Sequence, residues 1–439
     1  MERVDPIVAT FLILGSAILA FLSARVPLEV VAVGVALALW ATGVLSLPEA
    51  LAGFADPTVL FIASLFVVAT ALETSGVTRS VGGLILARAG TRRGRILIWV
   101  GGIVAVLTAL ISINGAVAAL IPVAALIARR SGLPPSQLMM PLAFVASAAS
   151  LLTLTGTPVN VVVSELAETE AGRPFGFFEF ALVGLPLAAA TIAIVVVLGP
   201  RLLPHCGPDA VPEARSERET ETLSLVPEAV RSGTIRTHRR SGLHRGARRT
   251  LVVTAVMVVL LATGAAPPAV AGLLAAGALI LMRVVKLPDL YDGISWTTLV
   301  LIAGMIPLSV AFLGTGAADV VADGLLAVVG EADPHLALLA VCVVVIVLGQ
   351  FISNVATVLI VAPVATSIAA TLDVSPLPFL MALTVAGASA FLTPVSTPVN
   401  LMVMAPGGYR FGDYWRLGLP LVALFLAAAV LYVPLIWRF

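Results

Sequence analysis

Apolar runs long enough to cross a bilayer recur from residue 7 to residue 437, and they fall into two matching sets. The first set covers 7–24, 28–46 and 57–76, then a pair at 96–111 and 116–128, a long run at 137–164 and a last one at 181–200. The second covers 250–266, 268–285 and 296–314, a pair at 336–351 and 356–370, a long run at 376–404 and a last one at 417–436. A short amphipathic piece precedes each pair, with Arg79 and Arg88 in the first half and at 317–330 in the second. The pattern predicts an all-α polytopic membrane protein made of two repeats.

Polar residues interrupt the runs at corresponding places. TGTPVN at 155–160 breaks the first long run, and Thr393-Pro394 with STPVN at 396–400 breaks the second. Asn114 lies 46 residues before Asn160, and Asn354 lies 46 residues before Asn400. Each earlier asparagine sits at a polar tip between paired runs, Ser112-Ile113-Asn114-Gly115 and Ser353-Asn354. Unwound backbone at membrane depth is tolerated only where it is buried in protein or lines a watery cavity. A repeated pair of such breaks points to a secondary transporter with its site between the repeats. Read alone, either tip is also satisfied by a simple hairpin turn. Pro158 and Pro398 are likewise compatible with plain kinks.

Charge then orients the runs. If each pair enters and leaves on one side, each half makes five crossings and the second half is inverted. With 201–249 cytoplasmic, 22 of the 25 lysines and arginines fall on that side, leaving Arg3, Arg173 and Arg438 outside with both termini. Acidic residues such as Glu49, Asp56, Glu168, Asp319 and Asp373 fall outside. Full crossing by both pairs would split the Arg79–Arg95 and Arg129–Arg130 clusters between the two sides, so the positive-inside rule favours re-entrant hairpins. The expected organisation is a first repeat over 1–200 (hairpin 96–128, broken helix 137–164) and a second over 250–439 (hairpin 336–370, broken helix 376–404). Between them 201–249, rich in Arg, Glu and Pro, is read as a disordered cytoplasmic linker. The run after Met-Glu-Arg-Val-Asp-Pro is read as a span and not a leader peptide.

Composition narrows the chemistry. Only 11% of the residues are charged, against about a quarter in soluble proteins. Two cysteines and four histidines offer no metal-ligand spacing, and His205 beside Cys206 reads as a solvated loop pair. No ionisable residue lies near the centre of a predicted span, Glu73 being close to a cytoplasmic end. That disfavours a proton relay, and neither a zinc motif nor a catalytic dyad supports an enzyme. What the breaks do offer is neutral oxygen for a hard cation such as sodium, and helix N-termini for an anion. Arginine outnumbers lysine 24 to 1, a bias expected of a GC-rich bacterial genome and hence of an inner (plasma) membrane protein.

The duplicated tip and Thr-Pro-Val-Asn motifs, with the ending Ala-Pro-Gly-Gly-Tyr-Arg-Phe-Gly-Asp-Tyr at 405–414, resemble the divalent anion:sodium symporter family of the ion transporter superfamily. The resemblance implies re-entrant hairpins, elevator-type alternating access, a homodimer, and sodium-driven uptake of dicarboxylate, citrate or sulfate, with no organic cofactor. It implies sodium at Ser112, Asn114, Thr155 and Gly156, and at Ser353, Asn354 and Ser396. Substrate oxygens would meet Asn114, Thr157, Asn160, Asn354, Thr397 and Asn400. Partners would be a small inorganic or carboxylate anion and the lipid bilayer, with no nucleic acid. The family tip reads Ser-Asn-Thr, whereas the second tip here is Ser353-Asn354-Val355. In the first tip, alignment from Pro122 and Pro363 gives the asparagine's place to Ile113, and alignment from Thr-Pro-Val-Asn gives it to Asn114. Alternatives are a proton-coupled or antiporting relative, of the arsenite-efflux or sodium/proton-exchange type, and an anion channel.

Overall fold

The computed structural model describes residues 5–23, 25–75, 92–110, 112–204, 245–329, 333–394 and 396–439. The amphipathic piece expected around Arg79 and Arg88, the His205–Cys206 pair and most of the predicted linker lie outside the described residues.

The first repeat contains α1 (Pro6–Ser23), α2 (Leu28–Ala41), a short α3 (Leu47–Leu51) and α4 (Pro57–Thr74). It continues with the hairpin arms α5 (Arg93–Leu110) and α6 (Ile113–Ser131), the broken pair α7 (Ser136–Ala149) and α8 (Pro158–Ala171), and α9 (Ala181–Leu202). The second repeat follows the same order. It has α10 (Arg245–Thr263), α11 (Pro268–Leu281), a short α12 (Leu287–Gly293), α13 (Trp296–Gly314) and α14 (Ala317–Val329). Then come the arms α15 (Pro334–Gly349) and α16 (Asn354–Thr371), the broken pair α17 (Leu377–Gly387) and α18 (Pro398–Gly407), and α19 (Tyr414–Ala427). A π-turn at Ala428–Tyr432 leads from α19 into a final turn at Val433–Ile436.

The helix starts obey one grammar. Pro57, Pro158, Pro334 and Pro398 each open a helix, where the missing N–H costs nothing. Asp56 accepts from Thr58 N–H at 2.7 Å and Asp333 from His335 N–H at 2.9 Å, so each caps its helix. Both short helices, α3 and α12, went unpredicted because each is too brief to show a period.

Contacts between the repeats are reciprocal. Helix α2 packs along α13, and α11 along α4. A methyl group on Gly304 of α13 would lie 2.6 Å from the Ala32 carbonyl oxygen, and one on Gly272 of α11 would lie 2.1 Å from Ser64 Oγ. Residues 32 and 272, and 64 and 304, are pairs at the repeat offset, so one contact is made twice. Small residues let membrane helices approach this closely where the hydrophobic effect supplies no driving force. The broken helices behave the same way. Helix α7 packs on α18 and α17 on α8, so the first half of each broken helix lies against the second half of the other. The second arm of each hairpin reaches the other repeat, α6 touching α18 and α16 touching α8.

Candidate functional site

Both breaks are wider than Thr155–Pro158 and Thr393–Pro398 suggested. The first opens after Ala149 and the second after Gly387. Asn160 and Asn400 explain why the chain stays open. The amide nitrogen of Asn160 donates to the Ser150 and Thr153 carbonyls, both at 2.8 Å. That of Asn400 donates to the Ala390 and Thr393 carbonyls at 2.9 and 3.0 Å. Each acceptor lies 240 residues from its counterpart, and both asparagines are fully buried. Two carbonyl acceptors also fix which end of each amide is nitrogen. These asparagines were expected to face the substrate. Their amide groups instead clamp the loops, leaving only the Oδ1 atoms, which are buried without a donor.

The tips differ from each other. Ser112 precedes α6 and accepts from Gly115 N–H at 3.2 Å, while Ser353 precedes α16 with no such bond. The first helical residue is Ile113 in α6 and Asn354 in α16, and Pro122 and Pro363 keep the same offset of 241. Ile113 therefore occupies the place of Asn354. Asn114 falls one position on, with an exposed side chain, so the pairing of Asn114 with Asn354 does not hold in three dimensions. Asn354 is half-buried, and its Oδ1 is an acceptor without a donor.

Sequence reasoning gave no role to the threonines that join each loop to a tip. Thr153 Oγ1 donates to the Ala109 carbonyl at 2.9 Å, and Thr393 Oγ1 donates to that of Gln350 at 2.8 Å. Their 240-residue spacing was the signal available. Glycines hold the loops from behind, since a Cβ on Gly184 would stand 2.1 Å from the Leu151 carbonyl oxygen and one on Gly418 would stand 2.3 Å from that of Phe391. Tyr409 enters the first turn of α7, its hydroxyl taking the Met140 N–H at 2.8 Å and donating to the Ser136 carbonyl. It thereby stands between the donor and acceptor of an ordinary helical i to i−4 pair. Glu165, one residue past the predicted run, lies inside α8 and accepts a hydrogen bond from Thr58.

The remaining expected ligands line the loops. A Cβ on Gly156 would come within 2.2 Å of the Ser150 carbonyl oxygen. Thr155 is buried beside Thr153, and Thr157 is half-buried with no capping bond. Ser396 Oγ lies 2.8 Å from the Thr393 carbonyl and 3.1 Å from that of Ala390. Thr397 caps α18 by accepting from Asn400 N–H at 3.3 Å. The collected chemistry is neutral oxygen. Three buried amide oxygens, on Asn160, Asn354 and Asn400, lack any donor, which is unusual for buried acceptors and suits a hard cation.

A family model described as Citrate transporter matches residues 18–356 and 315–439. The uncharacterised transporter YfbS of Escherichia coli is 26% identical over 97% of this chain and 98% of its own length. Na(+)/dicarboxylate cotransporter 3 of Homo sapiens is 33% identical, over 29% of this chain and 21% of its own. The crystal structure of the Alcanivorax borkumensis YdaH transporter superposes with a TM-score of 0.57 at 18% identity, covering 88% of this chain and 86% of that one, a likeness of fold. The matching family and relatives are membrane transporters and not enzymes. With the broken helices and two sets of apolar helices, the match over most of the chain leads to one assignment: this multi-span membrane protein belongs to the citrate transporter family.

Proposed function

We propose that the protein is a sodium-coupled symporter of the divalent anion:sodium type, taking up a small divalent anion (dicarboxylate, citrate or sulfate) by elevator-type movement. The carrying observation is the set of buried, donor-less amide oxygens on Asn160 and Asn400 at the two breaks and Asn354 at the second tip. Neutral oxygens attract sodium without repelling an anion beside it. The N-termini of α8, α16 and α18 supply free N–H groups for that anion. The sodium reading draws further support from the distant likeness to the human cotransporter, named for sodium and dicarboxylate. The charge distribution supports re-entrant hairpins and an inverted second repeat, although α5 and α6, at 18 and 19 residues, are long and apolar enough to cross a membrane. Residues at the site are Ser353, Asn354, Ser396, Thr397 and Asn400 on one side, and Ser112, Thr155, Gly156, Thr157 and Asn160 on the other. A homodimer in a bacterial inner membrane, with the linker cytoplasmic, completes the proposal.

A proton-coupled or antiporting mode draws on Glu165, the carboxyl that the structure brings into α8 beside Thr58. Purified protein is screened by thermal unfolding against succinate, citrate, sulfate and phosphate, with sodium or choline as cation. A stabilising anion whose effect requires sodium is expected, because ligands of the native state raise its stability. Stabilisation indifferent to sodium, with uptake driven by a pH gradient, would replace the sodium reading with the proton one.

A further inference from the structure

We infer that Gln350 is a positioning residue that welds the second hairpin tip to the second break, a joint without a counterpart among the described residues of the first half. The functional part of this inference rests on the reading of the breaks as the ligand site.

Gln350 follows the last residue of α15 and is 5% exposed. Its Oε1 accepts the Leu392 N–H at 3.0 Å, and its Nε2 donates to the Ile346 carbonyl at 3.1 Å. Its own carbonyl accepts Thr393 Oγ1. One buried residue therefore holds two consecutive loop residues against the hairpin, three positions before Ser353 and four before Asn354. In the first repeat the matching carbonyl belongs to Ala109, which has no side chain to repeat the bridge. The counterpart of Leu392 is Leu152, and its N–H turns inward to the Ala149 carbonyl at 3.0 Å. Leu154 N–H donates to the Phe177 carbonyl at 2.9 Å, ahead of α9. Its counterpart is Pro394, which has no N–H to give. The first loop thus meets its hairpin through one threonine bond and is tied besides to the connection before α9, whereas the second is held to its hairpin twice through Gln350. Consequently the second tip and break move as one body, and their oxygens are arranged before any ligand arrives. The first tip, joined through Thr153 Oγ1, is the partner that adjusts.

The test uses purified full-length protein. Hydrogen–deuterium exchange is followed in peptides spanning 350–355 and 109–115, and thermal unfolding is recorded during titration with NaCl against choline chloride. In the wild type the second tip is expected to exchange more slowly than the first. Gln350→Ala is expected to speed exchange at the second tip about tenfold, leave the first unchanged, and raise the half-saturating sodium concentration about tenfold. Gln350→Glu keeps an oxygen facing Leu392 N–H and is expected to keep the sodium midpoint near that of the wild type. Should Gln350→Ala not fold, Thr393→Val removes a single bond and is expected to act in the same direction, more weakly. Unchanged exchange at the second tip, or faster exchange with an unmoved sodium midpoint, overturns the inference. If the wild type ignores sodium while the exchange pattern holds, the joint stands and the sodium reading falls.

Discussion

The two breaks share a clamp and differ in their anchor. In each, a buried asparagine holds the loop carbonyls ten and seven residues before it, and a threonine reaches the hairpin. At position 156 the first loop folds so tightly that a Cβ would meet a carbonyl oxygen at 2.2 Å, whereas the second carries Ser396 in the same place. At position 154 the first uses a backbone N–H that the second lacks, since Pro394 stands there. The lesson is that the clamp is what a broken membrane helix requires, because freed carbonyls in lipid must be satisfied inside the protein. The anchor is free to differ, so the two breaks share one skeleton and are tied to different neighbours.

The largest effect is expected from removing the clamp. Asn160→Ala and Asn400→Ala each strand at least two acceptors, at about 1–3 kcal/mol for each buried group left unpaired. Both should lower the thermal midpoint by several degrees and abolish uptake in reconstituted vesicles. A mild loss at either site would break the shared half of the comparison.

Next comes position 156 against position 396. Gly156→Ser should fail, because its Cβ overlaps the Ser150 carbonyl, and backbone cannot give way as a flexible side chain can. Ser396→Gly should cost only about 1 kcal/mol, the worth of one hydroxyl bond. Uptake assays on the pair check the sign, and equal effects would mean that the two loops are not differently packed.

Leu154→Pro tests the first anchor by deleting the N–H that reaches Phe177. A loss of about 1–2 kcal/mol is expected, seen as a lower unfolding midpoint. The effect should be confined to the first break, with exchange at 350–355 unaltered.

The smallest expected change is Tyr409→Phe. The Met140 N–H and Ser136 carbonyl would then close their own helical bond, so the loss should stay near 1 kcal/mol despite the burial of the phenol. A larger loss would mean that α7 cannot relax there, and that the cross-repeat pin itself sets the distance between the breaks.

Much of the architecture was open to reading from the chain alone. The apolar runs appear as helices within a few residues of their predicted bounds, because lipid permits few other solutions for long uncharged segments. The breaks announced themselves through repeated Thr-Pro-Val-Asn, since proline, glycine and short polar residues cannot continue a helix cheaply. The roles of those residues were less accessible. Asn160 and Asn400 carry the same letters a ligand site would, and only their distances to the loop carbonyls mark them as clamps. Asn114 and Asn354 stand at one spacing from their motifs, yet a one-residue difference in the tip turns them to different surroundings. Gln350 had no repeat partner and so gave no signal at all.

The order of amino acids by itself determined that this protein lives in a membrane, that it is built twice, and that each copy is interrupted by neutral polar residues. Hydropathy and repetition are local properties and survive without coordinates. Which oxygens are spent on holding the loops, and which are left bare, was decided only when each loop folded back on the helix that follows it and on its hairpin. A hydrogen bond depends on where a distant segment lands, to within a few tenths of an ångström, and a linear pattern carries no such distance.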